Sequence, residues 1–172
     1  SFIGELLDSH FGGVFEEEGG SLIDDPGNVT RVLDLCTGSG CLAILLAHAF
    51  PNVRIDAADI SADAIEVAAR NVADYELGDR IGLIRSDLFA GLVGRSYDLI
   101  ISNPPYVTGQ SMRALPAEYR HEPALALASG EDGMDAVKGI LAGARVHLKP
   151  AGMLAVEVGG NRAIVEHVFP RL

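Results

Sequence analysis

The sequence predicts an α/β fold, a mostly parallel sheet with helices on both faces. Three observations predict it. From Val29 onward, short β-branched runs alternate with helical patterns. A glycine turn, "CTGSG", joins the first strand to the first helix. Acidic or amide side chains then close the second, third and fourth strands, which lines up polar groups along one edge of the sheet.

"VTRVLDLC" reads as the first strand, and "GSGCLAILLAHAF" opens on glycines and becomes a helix stopped by Pro51. Cys41, early in that apolar helix, is expected in the core. "VRIDAADI" is the second strand. The next helix has Ser61 as its N-cap and Asp63 in its first turn, with Ile65, Ala68, Ala69 and Val72 as the apolar face. "RIGLIRSDLF" supplies the third strand and "YDLIIS" the fourth. From Thr108 to about Gly133 no period is clear, and segments of that length are commonly functional or disordered. A helix returns with Met134, Val137, Leu141, Ala144 and Leu148 on one face, followed by a strand, "GMLAVEVGG", and a closing helix, "NRAIVEHVF". Residues 1–28 read as a lead-in helix and loop, and residues 29–172 as the functional domain.

A chain of 172 residues can bury one sizeable core. Its longest apolar run, "CLAILLAHAF", falls short of the roughly 18 residues a membrane span needs, so no membrane role is expected. The chain shows no signal-peptide pattern, and its opening on Ser1 reads as a trimmed terminus. Two cysteines, Cys36 and Cys41, make neither a disulfide framework nor a zinc site, which points to a reducing, cytoplasmic setting. The net charge of −11 repels phosphate backbones, so no direct nucleic-acid binding is expected, whereas a basic protein would be attracted.

Gly38 and Gly40 let the backbone approach a ligand, and with Ala43 they also fit G-x-G-x-x-A, a pattern equally at home in a dinucleotide fold. The carboxylates separate the two readings. Asp59 closes the second strand, 19 residues after Gly40, where it can accept from ribose hydroxyls or simply support the Ser61 cap. Asp87 closes the third strand, placed for an adenine amino group or serving as a turn residue. Asp34, four residues before Gly38, would repel a pyrophosphate but suits an ammonium or a sulfonium. S-adenosylmethionine fits this set better than NAD. Cys36 has no adjacent base and reads as a small buried residue rather than a nucleophile.

"ISNPPYV" ends the fourth strand in two residues without N–H groups. Pro105 pushes Pro104 into an extended conformation and fixes its carbonyl. The Asn103 side-chain oxygen and the Pro104 carbonyl can then accept both hydrogens of one NH2 group, with the Tyr106 ring as a wall. That arrangement suits methylation of a planar amide or an exocyclic amine, and needs no metal.

"DLCTGSGCLAI", "ADIS", "SDLF" and "ISNPPYV" stand in an order and spacing that resemble the class I S-adenosylmethionine-dependent methyltransferase fold (Rossmann-like), specifically the protein-glutamine methyltransferases of the HemK, PrmB and PrmC type. The resemblance runs from about Phe2 to the end. It implies amide recognition by Asn103 and Pro104, beside Pro105 and Tyr106. It also implies cofactor contacts from Asp34, Cys36, Thr37, Gly38, Ser39, Gly40, Asp59, Ile60, Asp87, Leu88 and Asn103. "LPAEYRHEPALALASGEDGMD" resembles the PrmB branch, which modifies a glutamine of large-subunit ribosomal protein L-three, and implies substrate contact or loop anchoring by His121 and Glu122. The family's N-terminal helical domain and C-terminal strand pair are expected to be missing, which leaves a catalytic core. The alternatives are an adenine amino-methyltransferase acting on DNA or RNA, a release-factor glutamine methyltransferase, an NAD-dependent oxidoreductase and a non-catalytic scaffold.

Overall fold

The computed structural model describes residues 28–105 and 134–158. The lead-in, the expected last helix, Tyr106, His121 and Glu122 lie outside the described residues. Eight elements follow in order: β1 (Arg31–Leu35), α1 (Cys41–Ala49), β2 (Arg54–Asp59), α2 (Ala62–Asp74), β3 (Ile81–Arg85), β4 (Tyr97–Ser102), α3 (Asp135–His147) and β5 (Leu148–Val156). All five strands run parallel, in the order β3-β2-β1-β4-β5. The chain therefore steps outward from β1 to β3, then returns to lay β4 on the other side of β1. That reversal opens a crevice at the carboxyl ends of β1 and β4, where ligands of open α/β sheets bind.

Side-chain alternation divides the core in two. Val32, Ile55, Ala57, Leu99 and Ile101 pack with Ala43, Ile44, Leu46 and Ala47 of α1 on one face. Leu33, Leu35, Ala58 and Ile100 pack with Ile140 and Ala144 of α3 on the other. Period-two geometry puts Asp34 on the same face as Val32, beneath α1. Strands buried on both faces carry adjacent apolar residues, as Val32 and Leu33 do in β1 and Leu99, Ile100 and Ile101 in β4.

Helix α1 ends before Pro51, and Arg80 donates to the carbonyls of Ala47 and Phe50 at its C-terminus, at 2.9 and 2.7 Å. Ser61 caps α2 as expected, its hydroxyl accepting from the Ala64 N–H at 3.2 Å.

Several expectations are corrected. Cys41 is exposed, because the sheet-facing stripe of α1 begins at Ala43 and leaves the first helical residue on the outer side. Ala69 is exposed and Ile65 half-buried, so the buried line of α2 is Ala68 and Val72. In α3 the buried stripe is Val137, Ile140, Ala144 and His147, and Leu141 is only half-buried. Leu148 starts β5, which begins four residues before the expected Gly152. Pairing jumps from Tyr97↔Leu148 to Leu99↔Met153, and residues 149–152 form an irregular bend with Ala151 at φ 63°.

Charge fastens the edge of the sheet away from the crevice. Asp56 Oδ2 accepts from Tyr97 Oη (2.8 Å), Arg31 Nη2 (3.0 Å) and Arg95 Nη1 (2.9 Å). Asp98 Oδ2 accepts from Lys149 Nζ, the Thr30 N–H, the Arg31 N–H and Thr30 Oγ1, all within 2.9 Å. Burial alone would raise the Asp98 pKa, but these donors outweigh it and bring it from 3.8 to about 2. A depressed carboxylate stabilises the fold above its unfolded pKa and loses that contribution as the pH falls through the folded value. Asp98→Asn should therefore cost about 2 kcal/mol near neutral pH, the gap to the parent closing between about pH 4 and 2 in urea titrations.

Candidate functional site

The crevice is built first from the turn after β1. Cys36 adopts a left-handed backbone (φ 62°), and Gly38 and Gly40 follow at φ 55° and 78°. Those angles strain a residue with a side chain, so two of the three positions are glycine. Gly40 is also crowded, since a Cβ there would stand 3.1 Å from Ala68 Cβ of α2. Beside Gly38 no atom of the described residues lies within 4 Å of a Cβ position.

Two contacts from β2 hold this turn. The Thr37 N–H donates to the Ala58 carbonyl at 3.0 Å. Asp59 Oδ2 accepts from the Gly38 N–H and Oδ1 from the Ser61 N–H, both at 2.9 Å. The two readings of Asp59 thus meet in one group. It supports the start of α2, yet each oxygen keeps a lone pair that a ribose hydroxyl can use. Ser39 is exposed and its carbonyl accepts from Asn71 at 2.8 Å. Ile60, about half exposed, follows Asp59 at the rim.

Asp34 is almost wholly buried at 1% exposure. Its Oδ2 accepts from the Thr37 hydroxyl at 2.5 Å, while Oδ1 has no hydrogen-bond partner among the described residues. Burial is the chief reason its pKa rises from 3.8 to about 7. The Thr37 hydroxyl and the nearby Ala43 amide pull it down, the amide by proximity rather than by a hydrogen bond of normal geometry, and Asp59 pushes it up. A helix N-terminus that could hold a phosphate therefore faces the protein's own carboxylate.

The Cys36 thiol sits among the same groups. Burial first, then the charge of Asp59, with smaller contributions from Asp34 and Asp87, pushes its pKa up to about 12 against a lowering contact from Ser102. It stays a neutral thiol and is no nucleophile. Asp87 is exposed just past β3, and the Ser86 N–H donates to the Asp59 carbonyl at 2.8 Å, which sets the two strand ends side by side. The Leu88 side chain is directed against α3, so the crevice can receive only its backbone.

At β4 the pairing Leu35↔Ser102 brings the other half of the site to the glycine turn, and Ser102 Oγ donates to the Leu35 carbonyl at 2.6 Å. Asn103 follows as an exposed side chain, with Pro104 buried and Pro105 half-buried. The structure thus brings Asp34, Cys36, Thr37, Gly38, Gly40, Asp59, Asp87 and Asn103 to one edge. One residue escaped the sequence reading. Glu157 directly follows β5, its N–H donates to the Ser102 carbonyl at 2.9 Å, and its Oε2 is buried without a hydrogen-bond partner among the described residues. The signal was the same strand-end acid that marked Asp59 and Asp87.

The chain is similar to known proteins. The chain is 59% identical over its whole length to the ribosomal protein uL3 glutamine methyltransferase of Bradyrhizobium diazoefficiens, of which it covers 53%. The protein of the same name from Bordetella pertussis is 57% identical over 87% of this chain and 50% of its own. The chain spans about half the length of the curated relatives it matches. A methyltransferase crystal structure from Pyrococcus furiosus superposes with a TM-score of 0.60 at 22% identity, over 84% of this chain and 62% of that one, which bears out the class I methyltransferase fold. The family model of the methyltransferase small domain matches residues 21–119, and on that match, over more than half of its length, the chain belongs to this family.

Proposed function

We propose that this chain is the catalytic core of an S-adenosylmethionine-dependent methyltransferase acting on the side-chain amide nitrogen of a glutamine in a protein, most specifically ribosomal protein uL3. Residues 29–172 make up that core and residues 1–28 lead into it. The observation that carries the reading is the juxtaposition, at one sheet edge, of an acidic cradle and an exposed asparagine followed by two prolines. The names of the relatives that are more than half identical over most of this chain supply the protein substrate. A ribosomal substrate also agrees with a cytoplasmic setting, and the charge of −11 favours a basic protein over bare nucleic acid.

The donor set fits the cofactor. Asp34 offers an orphaned buried oxygen to a positive charge, Asp59 keeps lone pairs for two ribose hydroxyls, and Asp87 lies exposed for an adenine amine. Three carboxylates around one thiol would repel a pyrophosphate. When bound, S-adenosylmethionine supplies a methyl group already activated on a positive sulfur.

The chain's own residues orient the nucleophile. Amide nitrogen is a poor nucleophile because its lone pair is delocalised. Asn103 Oδ1 and the Pro104 carbonyl, accepting one N–H each, aim that nitrogen and stabilise positive charge as it develops. Pro105 holds the Pro104 carbonyl in place, and neither proline adds a competing donor. Tyr106, His121 and Glu122 are proposed to wall the substrate side.

Mass spectrometry of ribosomal proteins after reaction with the intact enzyme and labelled cofactor tests the reading, with nucleic acid as a parallel acceptor. One methyl on a uL3 glutamine is expected. Label on nucleic acid alone would overturn it. Asn103→Ala should lower single-turnover methylation by about a hundred- to a thousandfold, with a much smaller change in cofactor affinity by calorimetry. Asp34 carries a further signature. A cation binds its ionised form, and below about pH 7 the free protein holds a proton there. Cofactor affinity should weaken by up to about tenfold per pH unit below that value, and Asp34→Asn should flatten the profile. The folded pKa lies above the unfolded one, so stability of the free protein declines as pH rises from about 4 to about 7, and the same variant should remove that slope.

A further inference from the structure

We propose that Gly139 and Gly143 of α3, together with Ser86, are positioning residues for nucleobase recognition: they clamp the turn after β3 so that Asp87 faces the purine amine. The inference rests on the reading of Asp87 given above.

Leu88, directly after that carboxylate, has φ 44°, a left-handed conformation that a leucine adopts only under constraint. Its neighbours supply the constraint. A Cβ on Gly139 would lie 2.4 Å from Leu88 Cδ1, so the leucine tip occupies the notch that this glycine leaves. One turn on, a Cβ on Gly143 would lie 2.3 Å from Phe89 Cδ2, 2.7 Å from Cε2 and 3.2 Å from Cγ. One edge of the phenyl ring thus fills the space that a side chain at Gly143 would need. The other end of this contact is closed by His147, whose ring stacks on Phe89 at 4.7 Å and 10°. His147 Nδ1 also reaches the Arg95 carbonyl at 2.9 Å, at the far end of the same loop.

From the strand side, Ser86 Oγ donates to the Leu88 carbonyl at 2.7 Å and accepts the Gly91 N–H at 2.8 Å. The backbone on both sides of Asp87 is therefore tied down, while its own side chain stays exposed. Two glycines at i and i+4 weaken a helix, and here both fall where side chains of one turn press on it. The notch and the strained leucine are separate observations that meet at one carboxylate.

The test uses the intact protein and two ligands, S-adenosylhomocysteine and its analogue with hydrogen in place of the 6-amino group. The ratio of their dissociation constants by calorimetry reports the amine contact, and the parent should favour the amine by about tenfold or more. Gly139→Ala and Gly143→Ala should each bring that ratio towards one in protein that remains folded by circular dichroism. Trimming the opposing ring, with Phe89→Leu in the second background, should restore it. If Gly143→Ala does not fold, Phe89→Ala alone removes the clamp from the other side and should lower the ratio. Asp87→Ala separates the two layers of the argument. If it abolishes discrimination while both alanine variants and Phe89→Ala keep it, the glycines are mere packing and the proposal fails. If neither the parent nor Asp87→Ala discriminates, the reading of Asp87 fails and the clamp falls with it.

Discussion

The shape of the crevice depends on the carboxylate of Asp59. In the turn after β1, Thr37 is tied to Asp34 and to the Ala58 carbonyl, but Gly38 has no side chain with which to hold itself. Asp59 supplies the missing restraint by receiving one amide from that turn and one from the start of α2. Its position is set by the β1–β2 pairing, which runs unbroken to Leu35↔Ala58. One side chain thereby joins two strands and two helices. The group that holds the frame is also the one proposed to receive a ribose diol, so on that reading structure and recognition cannot be varied separately there.

Much of this was legible in the sequence because the signals were local. Ser61 as a cap, Gly38 and Gly40 as left-handed positions, and the ends of β2 and β4 all follow from rules that involve a few adjacent residues. What was not legible depends on rotation and on distance along the chain. A one-position turn of α3 puts Ile140 and His147 inward and leaves Leu141 at the margin. The outward Cys41 has the same origin, since hydrophobicity alone does not say which residue of an apolar helix begins the buried stripe. Gly139 and Gly143 read only as poor helix formers until Leu88 and Phe89, about fifty residues earlier, are seen resting on them. Glu157 was readable by the strand-end rule but stood inside a run taken as plain strand.

Polarity is partitioned across the sheet. At the carboxyl edge, acids are left with spare acceptor capacity, and Asp34 and Glu157 each keep a buried oxygen without a partner among the described residues. At the opposite edge, Oδ2 of Asp56 and Oδ2 of Asp98 each gather several donors, from arginine, tyrosine, lysine, threonine and backbone groups. Spare acceptors thus gather at the edge proposed to receive the ligand, and gathered donors at the edge that ties strands together.

The placement of β4 beside β1 also governs how the chain folds. The hydroxyl of Ser102 and the carbonyl it binds are separated by 67 residues. As the polypeptide emerges during synthesis, β1 can pair with β2 early, but its other edge stays bare until β4 has been made. Contacts of such long sequence separation close slowly, and an apolar strand with an open flank is prone to association with other chains. The reversal that creates the crevice thus also makes β1 wait for a partner far along the chain before its second edge is covered.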